Sequence, residues 1–291
     1  MKILGTGLTG LVGSRVIELL KDKYQFENLS RSSGIDITDK NQVLEKIKTS
    51  DAQAILHLAA KTDVDGCEKD KVLSQDGEAW KINVEGTRNI ADACMQANKK
   101  LIYVSTDFVF DGATQPVGGY TEDDTVNPIN WYAQTKYEGE KIVQNLKTPW
   151  IIIRIAYPYR ANFAKLDFLR AILGKLQEGK SIAAIIDNIF TPTFIDDIAS
   201  ALDILINSNS KGIFHVVGSQ SLTSFEAASL IADEFNLDKS KISKTTRSEF
   251  FSNRAARPFQ LALKNDKITK LGVRMKTFEK GIREIKSQLD L

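Results

Sequence analysis

Two cysteines are all that this chain of 291 residues contains. Cys67 and Cys94 have neither metal-ligand spacing nor a redox-pair motif, so two reduced thiols are expected and no metal site. An excess of one charge is missing too: 39 Lys and Arg stand against 37 Asp and Glu, a formal charge of +2 with the signs intermixed. Such balance offers no broad positive face to a phosphate backbone, so nucleic acid is not an expected partner. Long apolar runs are absent. The strongest, from Trp150 to Ile153, stops at Arg154, far short of the roughly 20 residues needed to cross a bilayer. No membrane partner is expected. Met1 leads directly into a strand, leaving no room for a signal peptide, and a cytoplasmic protein is expected. No internal repeat or low-complexity segment is visible.

What the chain does contain is alternation. Residues 2–5, 26–30, 54–58, 101–104 and 150–155 read as strands. Between them, 11–20, 41–47, 78–97 and 130–146 carry apolar residues at helical spacing. The run Ala54-Ile55-Leu56-His57-Leu58 has the continuous apolar character of a strand buried on both faces. This order predicts an α/β protein with a doubly wound parallel sheet of Rossmann type, ligands gathering at the strand C-termini. Residues 1–155 form the expected dinucleotide-binding domain. Residues 156–291 form a smaller interleaved lobe for substrate, with about 193–217 returning to the sheet. In that lobe 168–178, 195–206, 224–235 and 278–289 read as helices, Ser224 being the expected N-cap of the third.

The first strand runs into Gly7-Leu8-Thr9-Gly10-Leu11-Val12-Gly13. In a dinucleotide turn the first glycine allows the bend, the second admits a pyrophosphate, and the third permits close helix packing. The helix opening near Leu11 would aim its free N–H groups at that pyrophosphate. The second strand ends Leu29-Ser30-Arg31-Ser32-Ser33, without the acid that commonly accepts the ribose hydroxyls of NAD. Arg31 could instead pair with a 2′-phosphate, so NADP(H) is expected to be preferred, with NAD(H) the alternative.

Tyr132 and Lys136, four residues apart, share one helix face. An ammonium at about 4–5 Å would favour phenolate by roughly 3–4 kcal/mol at an effective dielectric near 20. The phenol is therefore expected below its usual value near 10, as a general acid toward a carbonyl oxygen. Thr106, at a strand end, could hydrogen-bond the same oxygen. The predicted reaction is hydride exchange with a nicotinamide.

With these motifs the chain resembles the extended short-chain dehydrogenase/reductase family over nearly its whole length. T-G-x-x-G-x-x-G matches Thr6 to Gly13, and Y-x-x-x-K matches Tyr132 to Lys136. Within the family it is most similar to the dTDP-4-dehydrorhamnose reductase branch, on Asp36-Ile37-Thr38-Asp39, His57-Leu58-Ala59-Ala60 with Thr62-Asp63-Val64-Asp65, Ser105-Thr106-Asp107-Phe108-Val109-Phe110-Asp111-Gly112 and Arg257-Pro258. The resemblance implies reduction of a 4-keto-6-deoxy sugar carried on a nucleotide diphosphate. It implies Asp36 and Ile37 beside the adenine, Ala59, Ala60 and Lys61 along the cofactor, and Asn83 nearby. His57 reads as a packed strand residue, and Asp63 and Asp65 as ordering their loop. Asp107, Phe108 and Tyr157 would meet the sugar, and Arg254 with Arg257 the diphosphate. Related dehydratases carry Asp-Glu after the threonine, and Phe108 cannot abstract a proton as that glutamate does. Tyr157 stands where the branch has tryptophan, and the serine of its R-P-x-x-S run is lost. Nucleotide-sugar epimerases and non-catalytic NADP-binding regulatory subunits are the alternatives. Helices near 79–97 and 130–146 could supply a homodimer face.

Overall fold

A computed structural model describes residues 1–290. Six parallel strands build the central sheet: β1 (Lys2–Thr6), β2 (Gln25–Asn28), β3 (Ala54–His57), β4 (Lys100–Thr106), β5 (Trp150–Ile155) and β6 (Gly212–His215). Their order is β2-β1-β3-β4-β5-β6. Winding reverses between β1 and β3, where Thr6 stands opposite His57, and that reversal opens a crevice at the strand C-termini.

Nine principal helices flank the sheet or build the lobe over its edge. They are α1 (Leu11–Leu20), α2 (Lys40–Thr49), α3 (Val64–Asp70), α4 (Thr87–Gln96), α5 (Trp131–Gln144), α6 (Phe168–Gln177), α7 (Ile195–Asn207), α8 (Ser224–Glu234) and α9 (Phe278–Gln288). The pleat sends alternate side chains to opposite faces. Ile102, Val104, Ile151 and Ile153 pack with α1 and α7, while Leu101, Tyr103 and Ile152 pack with α2, α4 and α5. Both faces are covered, which is why these strands read as unbroken apolar runs.

Beyond β5 the chain forms a second core around Tyr159, Phe190, Phe194 and Phe278, with α6, α8 and α9 around it. Two short parallel pairs stiffen it: Pro158–Tyr159 with Thr193–Phe194, and Ile182–Ile185 with Ile242–Thr245. Among the described residues no helix is long and apolar enough to cross a membrane.

Three local expectations are corrected. The helix expected over 78–97 is broken into Glu78–Trp80, a wider π turn at Lys81–Gly86, and α4. The wide turn carries Asn83, whose side chain bonds the Lys61 backbone and the Thr135 hydroxyl, and such bulges gather near functional sites. The segment after Asp63 is the short helix α3 rather than loop, too brief for a visible period. Thr223, not Ser224, caps α8, because Glu226 three residues on completes a reciprocal capping box.

Candidate active site

The C-terminal edge of the sheet opens into a cavity of about 710 Å³. At one end lies the glycine turn. Gly7 has φ +66, and a Cβ there would stand 2.7 Å from the Ala59 nitrogen, so β1 and β3 close on each other only without a side chain. A Cβ on Gly13 would stand 2.5 Å from the Gly7 carbonyl oxygen. Gly10 is the N-cap of α1, with no capping side chain and no acid in the first turn. The first N–H groups of α1 are thus left for an anion, which suits a dinucleotide pyrophosphate.

Thr6 secures the wall behind the turn. Its hydroxyl lies 2.6 Å from His57 Nδ1 and accepts from the Ala59 N–H at 3.0 Å. His57 Nε2 meets the Thr87 hydroxyl at 3.1 Å, and burial holds the imidazole neutral, with its pKa lowered to about 3. His57 is a packed strand residue.

At the other end β4 and α5 meet. Thr106 is the last residue of β4, and Asn130 caps α5 by accepting from the Ala133 N–H, which places Tyr132 and Lys136 on the first two turns facing the cavity. Lys136 is 2 % exposed; its Nζ donates to the Val104 carbonyl at 2.9 Å and lies 4.1 Å from the Tyr103 ring centroid. Burial lowers its pKa to about 7, opposed by the Glu140 carboxylate one turn on. Glu140 itself is fully buried and held by Arg154, at 3.0 Å from Nε and 2.7 Å from Nη2.

The expected depression of the Tyr132 phenol is not met. Burial pushes it above its ordinary value, the Thr106 hydroxyl pulls it back, and Asp107 and Cys67 raise it. Lys136 is spent on Val104 and Tyr103, so its charge is turned toward β4 and dehydration of the phenol wins.

Asp107, 2 % exposed, accepts from the Thr106 hydroxyl at 3.0 Å through Oδ1, while Oδ2 is buried without a partner. Burial raises its carboxyl to about 7. Phe108 packs edge-on to Tyr132 at 6.1 Å between centroids. Tyr157 lines the same wall with φ +40, a strained conformation for a residue with a side chain. Arg257 also lines the cavity, anchored by Nη2 to Asp65 at 2.9 Å.

The cavity therefore gathers Gly7, Gly10, Leu11, Val12 and Gly13 with Ala59 and Ala60, and with Thr106, Asp107, Phe108, Tyr132, Lys136, Tyr157 and Arg257. Thr9, Arg31, Asp36, Ile37, Lys61, Asn83 and Arg254 do not line it. Thr9 faces solvent. Arg31 Nε is paired with Asp36 at 2.9 Å, and Asp36 also accepts from Thr38. Ile37 is buried, the Lys61 ammonium pairs with Glu78, and Arg254 sits over the Phe250 ring at 5.4 Å. Asn83 acts from behind the wall: it accepts from the Lys61 N–H and donates to the Lys61 carbonyl and the Thr135 hydroxyl.

Comparison with known proteins gives this arrangement a family. The family model described as the RmlD substrate binding domain matches residues 1–290. The chain belongs to the RmlD-like branch of the extended short-chain dehydrogenase/reductases, a family of NAD(P)-dependent oxidoreductases. Among similar proteins is the dTDP-4-dehydrorhamnose reductase of Aggregatibacter actinomycetemcomitans, 31% identical, covering 80% of this chain and 79% of the relative. Another is methionine adenosyltransferase 2 subunit beta of Mus musculus, 31% identical, covering 97% of this chain and 86% of the relative. A solved dTDP-4-dehydrorhamnose reductase from Bacillus anthracis, in complex with NADP, superposes with a TM-score of 0.88 at 29% identity, over 99% of both chains.

Within this RmlD-like frame the cavity has walls that the motifs did not announce. Phe163, Asp167 and Phe251 enter it from the lobe, across from the motif residue Ser105, whose buried hydroxyl lacks a partner. The lobe residues come from irregular chain, which carries no period to read. Among the described residues no group of three or more His, Cys, Asp or Glu is gathered for a metal ion.

Proposed function

We propose that the chain reduces the ketone of a nucleotide-linked 4-keto-6-deoxy sugar, with NADP(H) preferred as its coenzyme. The observation that carries this reading is one cavity holding both an uncapped, glycine-lined helix start and the cluster of Thr106, Tyr132 and Lys136. Gly7, Gly10 and the first turn of α1 would hold the pyrophosphate, with Ala59 and Ala60 along the cofactor. Arg31 keeps both terminal nitrogens out of its bond to Asp36, and these would meet a 2′-phosphate. A bound reduced nicotinamide would supply the hydride to the ketone carbon.

The side chains then have separable tasks. Tyr132 donates its proton to the oxygen. A phenol held protonated by burial suits a donor, because the alkoxide formed at that oxygen is the stronger base. Lys136 is held on the Val104 carbonyl in the unliganded site, and it would have to leave that bond to serve the ribose and steady the phenolate left behind. Thr106 orients the oxygen. Arg257 would take the diphosphate, and Tyr157 and Phe108 the sugar face. Phe108 brings no base, which separates the site from dehydratase chemistry.

A second reading is favoured by one observation: the methionine adenosyltransferase beta subunit covers 97% of this chain at 31% identity. On that reading the chain holds a dinucleotide for a partner protein. The test is a screen of dTDP-, UDP- and GDP-linked 4-keto sugars, following absorbance of the reduced nicotinamide. Coenzyme oxidised in step with product supports the reductase. Product without net oxidation would mean an epimerase, and tight coenzyme binding with no turnover on any sugar would favour the subunit.

A further inference from the structure

Thr106 has one hydrogen to give, and in this structure it is already given. The hydroxyl accepts from the Phe108 N–H at 3.2 Å and donates to Asp107 Oδ1 at 3.0 Å. A hydroxyl offers one donor and two acceptor sites. With the hydrogen turned toward Asp107, Thr106 can only accept from a ligand or from Tyr132. It cannot also donate to a substrate oxygen. The orienting role in the proposed function therefore needs some group to release that hydrogen.

Asp107 is the group placed to do so. Its side chain is 2 % exposed, lines the reaction cavity, and keeps Oδ2 buried with no partner. An ionised carboxylate only accepts, whereas a carboxylic acid carries an O–H of its own. Protonated, Asp107 can donate to the Thr106 oxygen in place of receiving from it, and the threonine hydrogen is then free to turn into the cavity. We propose that Asp107 is a proton-holding positioning residue, whose charge state decides whether Thr106 donates inward to it or outward to the oxygen of a bound ketone. No bond is made or broken in the step beyond one proton gained from solvent; the two hydroxyl hydrogens only change direction.

The surroundings favour the neutral acid. Facing Asp107 are the phenols of Tyr132 from α5 and Tyr157 from the loop after β5, both kept neutral by burial. No cation is bonded to the carboxyl; Arg257 is anchored on Asp65 and Lys136 on Val104. Burial raises the group to about 7, against the Thr106 hydroxyl and the backbone N–H groups of Asp107 and Phe108, which favour the carboxylate. This inference rests on the reductase reading, so its test has one readout with turnover and one without.

Isotope-edited infrared titration of the unliganded protein should show one aspartic acid band that persists to about pH 7 and is missing from Asp107→Asn. A titration at the ordinary carboxylate value overturns the proposal whether or not any sugar turns over. With a turned-over ketone, the rate should fall above neutrality with two protons, those of Asp107 and Lys136. Loss of one positioned donor gives a drop of about 100-fold for the Asp107 step. Asp107→Asn presents a neutral amide that can donate to Thr106, so its profile should keep only the lysine step. An unchanged two-proton profile in that variant overturns the proposal while the reductase reading stands. Absence of turnover with the band still titrating near neutrality removes the reductase reading and leaves the proton assignment intact.

Discussion

The two ends of the cavity are built on opposite terms. The β1–β3 end is backbone: Gly7, Gly10 and Gly13 function by what they lack, and Thr6 with His57 locks them from behind. The β4–α5 end is side chain. Lys136 and Asp107 are buried and Tyr132 half-buried, and burial is the largest cause moving each ionisation away from its ordinary value. A spacing rule specifies the first kind of site nearly completely. For the second it names the residues and leaves their charges to be set by distance from water.

The largest expected effect sharpens this contrast from the side-chain end. Glu140→Gln leaves the buried Arg154 guanidinium without its carboxylate, and breaking such a pair should cost about 3–5 kcal/mol. Denaturant unfolding at neutral pH checks it. At the backbone end, Gly13→Ala drives a Cβ to within 2.5 Å of the Gly7 carbonyl oxygen. Overpacking of that kind costs about 1–3 kcal/mol, and coenzyme affinity should fall with it. Calorimetric titration with NADP(H) and NAD(H) reads the second effect, and equal loss for both is expected because the pyrophosphate is common to them.

Arg31→Asp separates coenzymes instead. Losing a charge-assisted bond to a 2′-phosphate is worth at least about tenfold in affinity for NADP(H), with NAD(H) unaffected or improved. Equal affinity for the two in the unaltered protein would remove that role from Arg31.

Stability against pH carries a separate signature of the dehydrated groups. Burial holds His57 and His215 near a pKa of about 3, against 6.5 when exposed. Between those values the unfolded chain binds more protons than the folded one, so stability should rise as pH rises through the window and be lost on acidification. Asp107 runs the other way. Its folded value of about 7 lies above 3.8, so the folded chain holds the extra proton and its contribution falls as pH rises. Asp107→Asn should therefore steepen the rise, measured as unfolding free energy at a series of pH values.

Legibility follows the same division. Strands β3 and β5 and helices α1 and α7 are readable because each is a run with one period. The break in the helix over 78–97 was not, since a π turn leaves the apolar spacing nearly intact while turning Asn83 toward Lys61. Among site residues, glycines, Thr106, Tyr132, Lys136, Asp107 and Tyr157 reach the cavity because their motifs fix them at strand ends or on one helix face. Arg31, Asp36 and Lys61 were legible as charges near the right edge. Their pairing with each other and with Glu78 depends on contacts that no local pattern encodes. The direction of the Tyr132 shift escapes the sequence for a similar reason: spacing puts an ammonium beside the phenol, and tertiary packing turns that ammonium to Val104.

The central claim is that the Tyr132 phenol delivers the proton at a ketone held in this cavity. It is tested most directly by measuring coenzyme affinity and turnover side by side in Tyr132→Phe. Loss of a positioned general acid predicts turnover reduced by about 10²–10⁴-fold with the dissociation constant for NADP(H) nearly unchanged. Turnover retained at the level of the unaltered protein would contradict the account.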